Sequence, residues 1–183
     1  MRGSIALVGS GEFLPIMADF EKSLINDGIK NGKVAKYVQI PTAAGQESAD
    51  RLKYWEELGN RQAALLDVEP HFLPIFTRDD AFNPAFVDQI ENSALMYMSG
   101  GDPHYLATTL INTPVWDAVV ANWQSGASLA GCSAGAMAMC TEIPNFRFTK
   151  RGATPGLNLL PKLRVIPHFD KFFRWIPDSA AKV

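Results

Sequence analysis

The sequence predicts one domain over residues 1–183, a three-layer α/β/α sandwich on a mostly parallel sheet. Three observations predict it. Short apolar runs alternate with amphipathic stretches of roughly 10–18 residues, the rhythm of repeated βαβ units. The run at residues 94–98, Ala-Leu-Met-Tyr-Met, is apolar throughout, as a strand covered on both faces is. Glycine-containing turns follow the runs at residues 5–8, 94–98 and 128–130, the strand ends where such sheets place their ligands.

The elements follow in order. Residues 5–8, Ile-Ala-Leu-Val, form the first strand, stopped by Gly9-Ser10-Gly11. Pro15 opens a helix with Ile16, Phe20, Leu24 and Ile25 on one face, closing near Gly28. Residues 34–40 read as the second strand, ended by Pro41. Residues 49–66 carry Leu52, Trp55 and Leu58 at helical spacing. Residues 68–75 form a weaker strand that Pro70 and Pro74 push to a sheet edge. Asn83-Pro84 is an N-cap and first-turn pair for a helix presenting Phe86, Val87 and Ile90. After the 94–98 strand, Asp102-Pro103 starts a helix through His104, Tyr105 and Leu106. Thr113-Pro114 starts the next, with Trp116, Val119, Val120 and Trp123 along it. Residues 128–130 are the following strand, and residues 163–167 read as another, ending at His168. The arrangement is flavodoxin-like.

Composition narrows the class. With 183 residues, 47% hydrophobic and 20% charged, the chain is a cored domain, neither disordered nor fibrous. A chain of this size buries about 70% of its unfolded surface without a staple. Two cysteines, Cys132 and Cys140, are too few for a secreted disulfide scaffold, and no zinc-ligand spacing is present. No apolar run reaches the ~18 residues of a membrane span, and the N-terminus has no signal-peptide stretch. A reducing, cytoplasmic setting and no membrane are expected. Charge is asymmetric: residues 1–144 hold nine Lys/Arg against seventeen Asp/Glu, whereas residues 145–175 hold seven against one. That basic segment either neutralises acidic neighbours or attracts an acidic ligand. An acidic domain without an aromatic RNA-binding signature argues for no nucleic acid.

The chemistry sits after the strands. Gly131-Cys132-Ser133-Ala134-Gly135 is a G-x-S-x-G turn between an apolar strand and an Ala/Met-rich helix. Such a turn strains the backbone of its central serine and exposes the hydroxyl above the sheet. Ser133 is therefore the candidate nucleophile, and the helix-start amide of Ala134 a candidate oxyanion donor. Ser99-Gly100-Gly101-Asp102-Pro103 follows the preceding strand and reads either as the second half of an oxyanion hole or as a turn with an Asp cap. A hydroxyl nucleophile needs a base. Of three histidines, His71 lies on the weak strand and His104 at a helix start, whereas His168 closes a predicted strand and is the candidate base. Glu142 is the favoured third member and Asp170 the other candidate. Cys132 reads as a small buried filler. Gly9-Ser10-Gly11-Glu12 lacks the third glycine of a dinucleotide loop, and no Walker or H-E-x-x-H motif occurs, so no cofactor and no metal are expected.

Six segments together resemble the dipeptidase E/cyanophycinase family of serine peptidases: Gly9-Ser10-Gly11-Glu12-Phe13, Ile40-Pro41-Thr42-Ala43, Ser99-Gly100-Gly101-Asp102-Pro103, Gly131-Cys132-Ser133-Ala134-Gly135-Ala136, Gly156-Leu157-Asn158-Leu159-Leu160 and Pro167-His168-Phe169-Asp170. They occur in family order along nearly the whole chain. The resemblance implies a class I glutamine amidotransferase-like fold, shortened at the C-terminus. Glutamine amidotransferases of that class place Cys at the centre of the elbow, where this chain has Ser133. The resemblance further implies Ser133 as nucleophile, His168 as base, oxyanion amides from Gly101 and Ala134, and Glu142 as the acidic residue before Ile-Pro. It implies a small peptide substrate with an acidic residue, cleaved after aspartate; Arg174 or Arg151 would bind the substrate carboxylate. Pro103 stands where cyanophycinases carry Gln, which argues against a cyanophycin substrate. Family members continue past the His-Phe segment, so an uncovered edge and a homodimer or other association are expected. The alternatives are a non-catalytic binding or sensing protein on the same scaffold, and a small-molecule esterase.

Overall fold

The computed structural model describes residues 1–144 and 153–169. Five strands, β1 (Ile5–Val8), β2 (Val34–Ile40), β3 (Glu69–Phe72), β4 (Ser93–Met98) and β5 (Ser128–Cys132), form one parallel sheet in the order β1-β5-β4-β2-β3. The helices between them are α1 (Ala18–Lys30), α2 (Ala49–Leu66), α3 (Pro84–Ile90), α4 (Pro103–Leu110) and α5 (Pro114–Gln124), and a short α6 (Ala134–Ala138) follows β5 directly. Two-residue strands β6 (Glu142–Ile143) and β7 (Thr154–Pro155) pair antiparallel beside the main sheet. No helix among the described residues is long and apolar enough to cross a membrane.

Side-chain alternation along the strands builds the three layers. On β4, Leu95 and Tyr97 face one core with Tyr37, Leu24, Ile25, Ala63 and Leu66, beneath α1 and α2. Met96 and Met98 face the other with Val38, Ile40, Leu106, Leu110, Val119 and Leu129, beneath α3 to α6. All six β4 residues are buried, as its uninterrupted apolar pattern requires. The predicted caps are in place: Asn83 accepts from the Ala85 N–H, Asp102 from His104 and Tyr105, and Thr113 from Trp116.

Three expectations are corrected. The first helix starts at Ala18, after a 3-10 turn at Pro15–Met17, and runs past Gly28 to Lys30. Gly28 is there for contact rather than termination: a Cβ would stand 2.3 Å from the Ala94 carbonyl oxygen of β4. The third strand ends at Phe72 rather than residue 75. It is indeed an edge strand. Leu73 and Ile75 remain buried, but Pro74 has no N–H to continue the ladder. Residues 163–167 form no strand. Leu163 and Ile166 are exposed while Val165 packs on the core, and among the described residues no strand pairs with the segment.

One buried charge site tests the core. Glu21 of α1 is inaccessible to solvent, and its Oε2 accepts from Tyr37 Oη and Gln62 Nε2, both at 3.1 Å. Burial raises its pKa from 4.5 to about 7, against the smaller opposing effect of these hydrogen bonds. The folded state therefore binds this proton more tightly than the unfolded chain. The contribution of Glu21 is complete below pH 4.5, declines as pH rises to about 7, and is flat beyond. The decline amounts to about 3 kcal/mol. Glu21→Gln should remove it, so thermal melts of variant and wild type, recorded from pH 4 to 8, should diverge, the variant losing less stability.

Candidate active site

Strand β5 runs into α6 with a single residue between them, Ser133. Its backbone has φ 48° and ψ −105°, outside the helical and extended regions. The turn is this tight because α6 lies against β4: a Cβ on Gly135 would stand 2.4 Å from the Met98 carbonyl oxygen. The Ser133 N–H donates to Val8 O of β1 at 2.8 Å, which ties the corner to the neighbouring strand end. The hydroxyl is thereby held above the sheet, half-buried, as the G-x-S-x-G spacing predicts.

The imidazole of His168 meets it there. Ser133 Oγ and His168 Nε2 are 3.0 Å apart. The chain reaches this position through irregular backbone rather than a strand. The His168 N–H donates to Gly9 O after β1 at 3.3 Å, and the residue has φ 52°. With Nε2 unprotonated, Ser133 Oγ–H donates to it and the ring proton sits on Nδ1. The other histidines lie elsewhere. His71 Nε2 is 2.9 Å from Glu69 Oε1 on edge strand β3, and the His104 ring hydrogen-bonds Thr154 Oγ1.

Glycine governs the loop after β4. Gly101 has φ 138°, and a Cβ there would stand 2.3 Å from the Ala43 carbonyl oxygen. That oxygen accepts from the Asp102 N–H at 2.8 Å, so the loop is pinned to the 3-10 turn Thr42–Ala44. Asp102 caps α4 as well, as the turn reading of these five residues has it. The loop abuts the elbow: the Cβ position of Gly100 lies 3.5 Å from Ser133 Cβ. Among the described residues no acceptor occupies the Gly101 N–H, and Ala134 begins α6, where no intrahelical acceptor exists.

Glu142 is not brought to the imidazole. Pairing of β6 with β7 leaves its side chain half-exposed, and Oε2 accepts from Arg164 Nη2 at 2.8 Å. Among the described residues no carboxylate hydrogen-bonds the His168 ring. Asp170, Arg151 and Arg174 lie outside the described residues. Nor do the described residues contain a group of three or more His, Cys, Asp or Glu able to hold a metal ion.

Sequence reasoning missed the role of Glu12. Its Oε1 accepts from the Gly100 N–H at 2.9 Å, and its Oε2 from the Cys132 thiol at 2.9 Å. The available signal was its place just after the first strand, since strand ends converge at one edge of a parallel sheet. Cys132 is buried, as read, and also hydrogen-bonded. Burial, then the bond to Glu12 and its negative charge, push the thiol far above its ordinary pKa, so it stays protonated. Cys140 is buried two residues beyond the end of α6, where it bridges to Leu160, and burial raises its pKa too.

A parallel sheet under helices on both faces, with a strained serine between strand and helix, is the arrangement of a class I glutamine amidotransferase-like α/β fold. The chain belongs to Peptidase family S51, whose sequence profile matches residues 5–178. It is similar to a crystal structure of a peptidase from an acI-B1 Actinobacterium, with 60% identity and a TM-score of 0.92, covering 100% of this chain and 75% of that one. It shares the fold of a putative peptidase E protein from Listeria monocytogenes EGD-e, with 20% identity and a TM-score of 0.65, covering 93% of this chain and 81% of that one. No curated protein matches it.

Proposed function

We propose that this protein is a serine-type peptidase that hydrolyses aspartyl-containing dipeptides or small peptides. The observation that carries the mechanism is the 3.0 Å contact between Ser133 Oγ and His168 Nε2 at a strained strand-to-helix corner. Ser133 Oγ attacks the scissile carbonyl carbon while its proton passes to Nε2. The carbonyl oxygen becomes an oxyanion that accepts from the N–H groups of Gly101 and Ala134. The imidazolium then protonates the leaving amine as the C–N bond breaks, leaving an acyl-enzyme. Water, deprotonated by Nε2, attacks that ester; the C–Oγ bond then breaks, the acid product leaves, and the proton returns from Nε2 to Ser133 Oγ.

Preference for an acidic substrate is supported by the family resemblance and by the basic segment at residues 145–175. The test is a dipeptide series with aspartate, glutamate, asparagine or alanine as the first residue and leucine as the second. The expected order places Asp-Leu first by at least about tenfold in kcat/KM, the discrimination one buried ionic contact provides. Equal turnover of Ala-Leu would overturn the aspartyl preference alone. Absence of turnover throughout, with no fluorophosphonate labelling of Ser133, would overturn the peptidase mechanism.

A further inference from the structure

Glu12 follows β1 at the same end of the sheet as Ser133, and one carboxylate joins it to two other strand-end loops. Oε1 holds the N–H of Gly100, the residue before the Gly101 donor, and Oε2 holds the thiol of Cys132, the residue before the nucleophile. The fit is close, since a Cβ on Gly100 would stand 2.4 Å from Oε1. The carboxylate makes no hydrogen bond to Ser133 Oγ or to the His168 ring, so it is placed to set a distance rather than to move a proton. The protonated state of the Cys132 thiol is consistent with this, because a thiolate beside the carboxylate would repel it.

We propose that Glu12 is a positioning residue for catalysis: its carboxylate clamps the Gly100-Gly101 loop to the Cys132-Ser133 corner and so fixes the oxyanion donor relative to the nucleophile. This rests on the serine-peptidase reading above. Donors act in the transition state only when already in place, and a displacement of about 1 Å costs roughly 10²-fold in rate. A carboxamide can make the same two contacts, accepting from Gly100 through its oxygen and donating to the sulfur through its nitrogen. An aspartate keeps the charge but is one methylene too short to span both loops.

The test compares Glu12→Ala, Glu12→Gln and Glu12→Asp in steady-state hydrolysis of Asp-Leu, in the rate of fluorophosphonate labelling, and in thermal melting. Glu12→Ala should lose about 100-fold in kcat with KM within about threefold, and Glu12→Asp about tenfold or more. Glu12→Gln should stay within about fivefold of wild type. The labelling rate should follow kcat rather than Tm. Wild-type turnover by Glu12→Ala, or equal losses in the alanine and glutamine variants, would overturn the proposal. Should Glu12→Ala fail to fold, the other pair decides: an aspartate variant as active as the glutamine variant would overturn it. A wild-type protein that neither hydrolyses Asp-Leu nor labels at Ser133 removes the serine-peptidase reading itself and this proposal with it, an outcome distinct from an active wild type and an equally active variant.

Discussion

Replacing Ser133 with alanine is expected to lower kcat toward an Asp-X dipeptide by about 10⁵-fold and to leave KM within about threefold. The substitution removes one oxygen and nothing else that holds the corner. The bond from the residue 133 N–H to Val8 O, the packing of Gly135 against Met98, and the loop contacts of Gly101 do not involve the hydroxyl. Substrate binding should therefore persist while the covalent step is lost. Alanine tolerates the φ of 48° no better and no worse than serine, so Tm should hold or rise slightly as the site loses a half-buried polar group. Kinetics, fluorophosphonate labelling and a melting curve on the same preparation check all three statements. Turnover comparable to wild type would overturn the assignment of Ser133.

The second large effect is expected at His168. His168→Asn should lower kcat by about 10⁴-fold, because the nucleophile then has no group able to accept its proton. Asparagine is the informative choice. It is among the few residues at ease in the left-handed region that position 168 occupies, and the backbone bond to Gly9 O survives it. A fold-level explanation of the loss is thus removed. His168→Ala, which vacates the ring's space beside Ser133, should recover part of the activity on addition of imidazole. His104→Asn is the control, because that ring is held by Thr154 rather than by Ser133, and it should leave kcat within about threefold. A larger loss at His104 than at His168 would reassign the base.

The fold was legible wherever local chemistry points one way. Asn83-Pro84, Asp102-Pro103 and Thr113-Pro114 each pair a side-chain acceptor with a residue lacking an N–H, and all three start helices. The uninterrupted apolar run of β4 marked the buried centre of the sheet. Legibility failed where one residue type serves two ends. Gly28 has the composition of a helix stop but is selected by the approach of α1 to β4, a contact between residues 66 positions apart in the chain. The apolar residues at 163–167 resemble a strand, yet strands need partners, and among the described residues none pairs with this segment, which nothing local could tell.

The same division runs through the site. The sequence alone determined the strained corner at Ser133, because the turn is written in five consecutive residues whose small size and flexibility it demands. It also singled out His168 among three histidines, though on a strand end that the structure does not contain. Only the tertiary structure decided what each group faces. It brought His168 to Ser133 across 35 residues through irregular backbone, turned Glu142 to Arg164, and set Glu12 between Gly100 and Cys132 across 88 and 120 residues. The physical reason is that a parallel sheet gathers the ends of distant strands at one edge. The spacing of their loops there follows from strand order and register, and neither is encoded in any short stretch of chain.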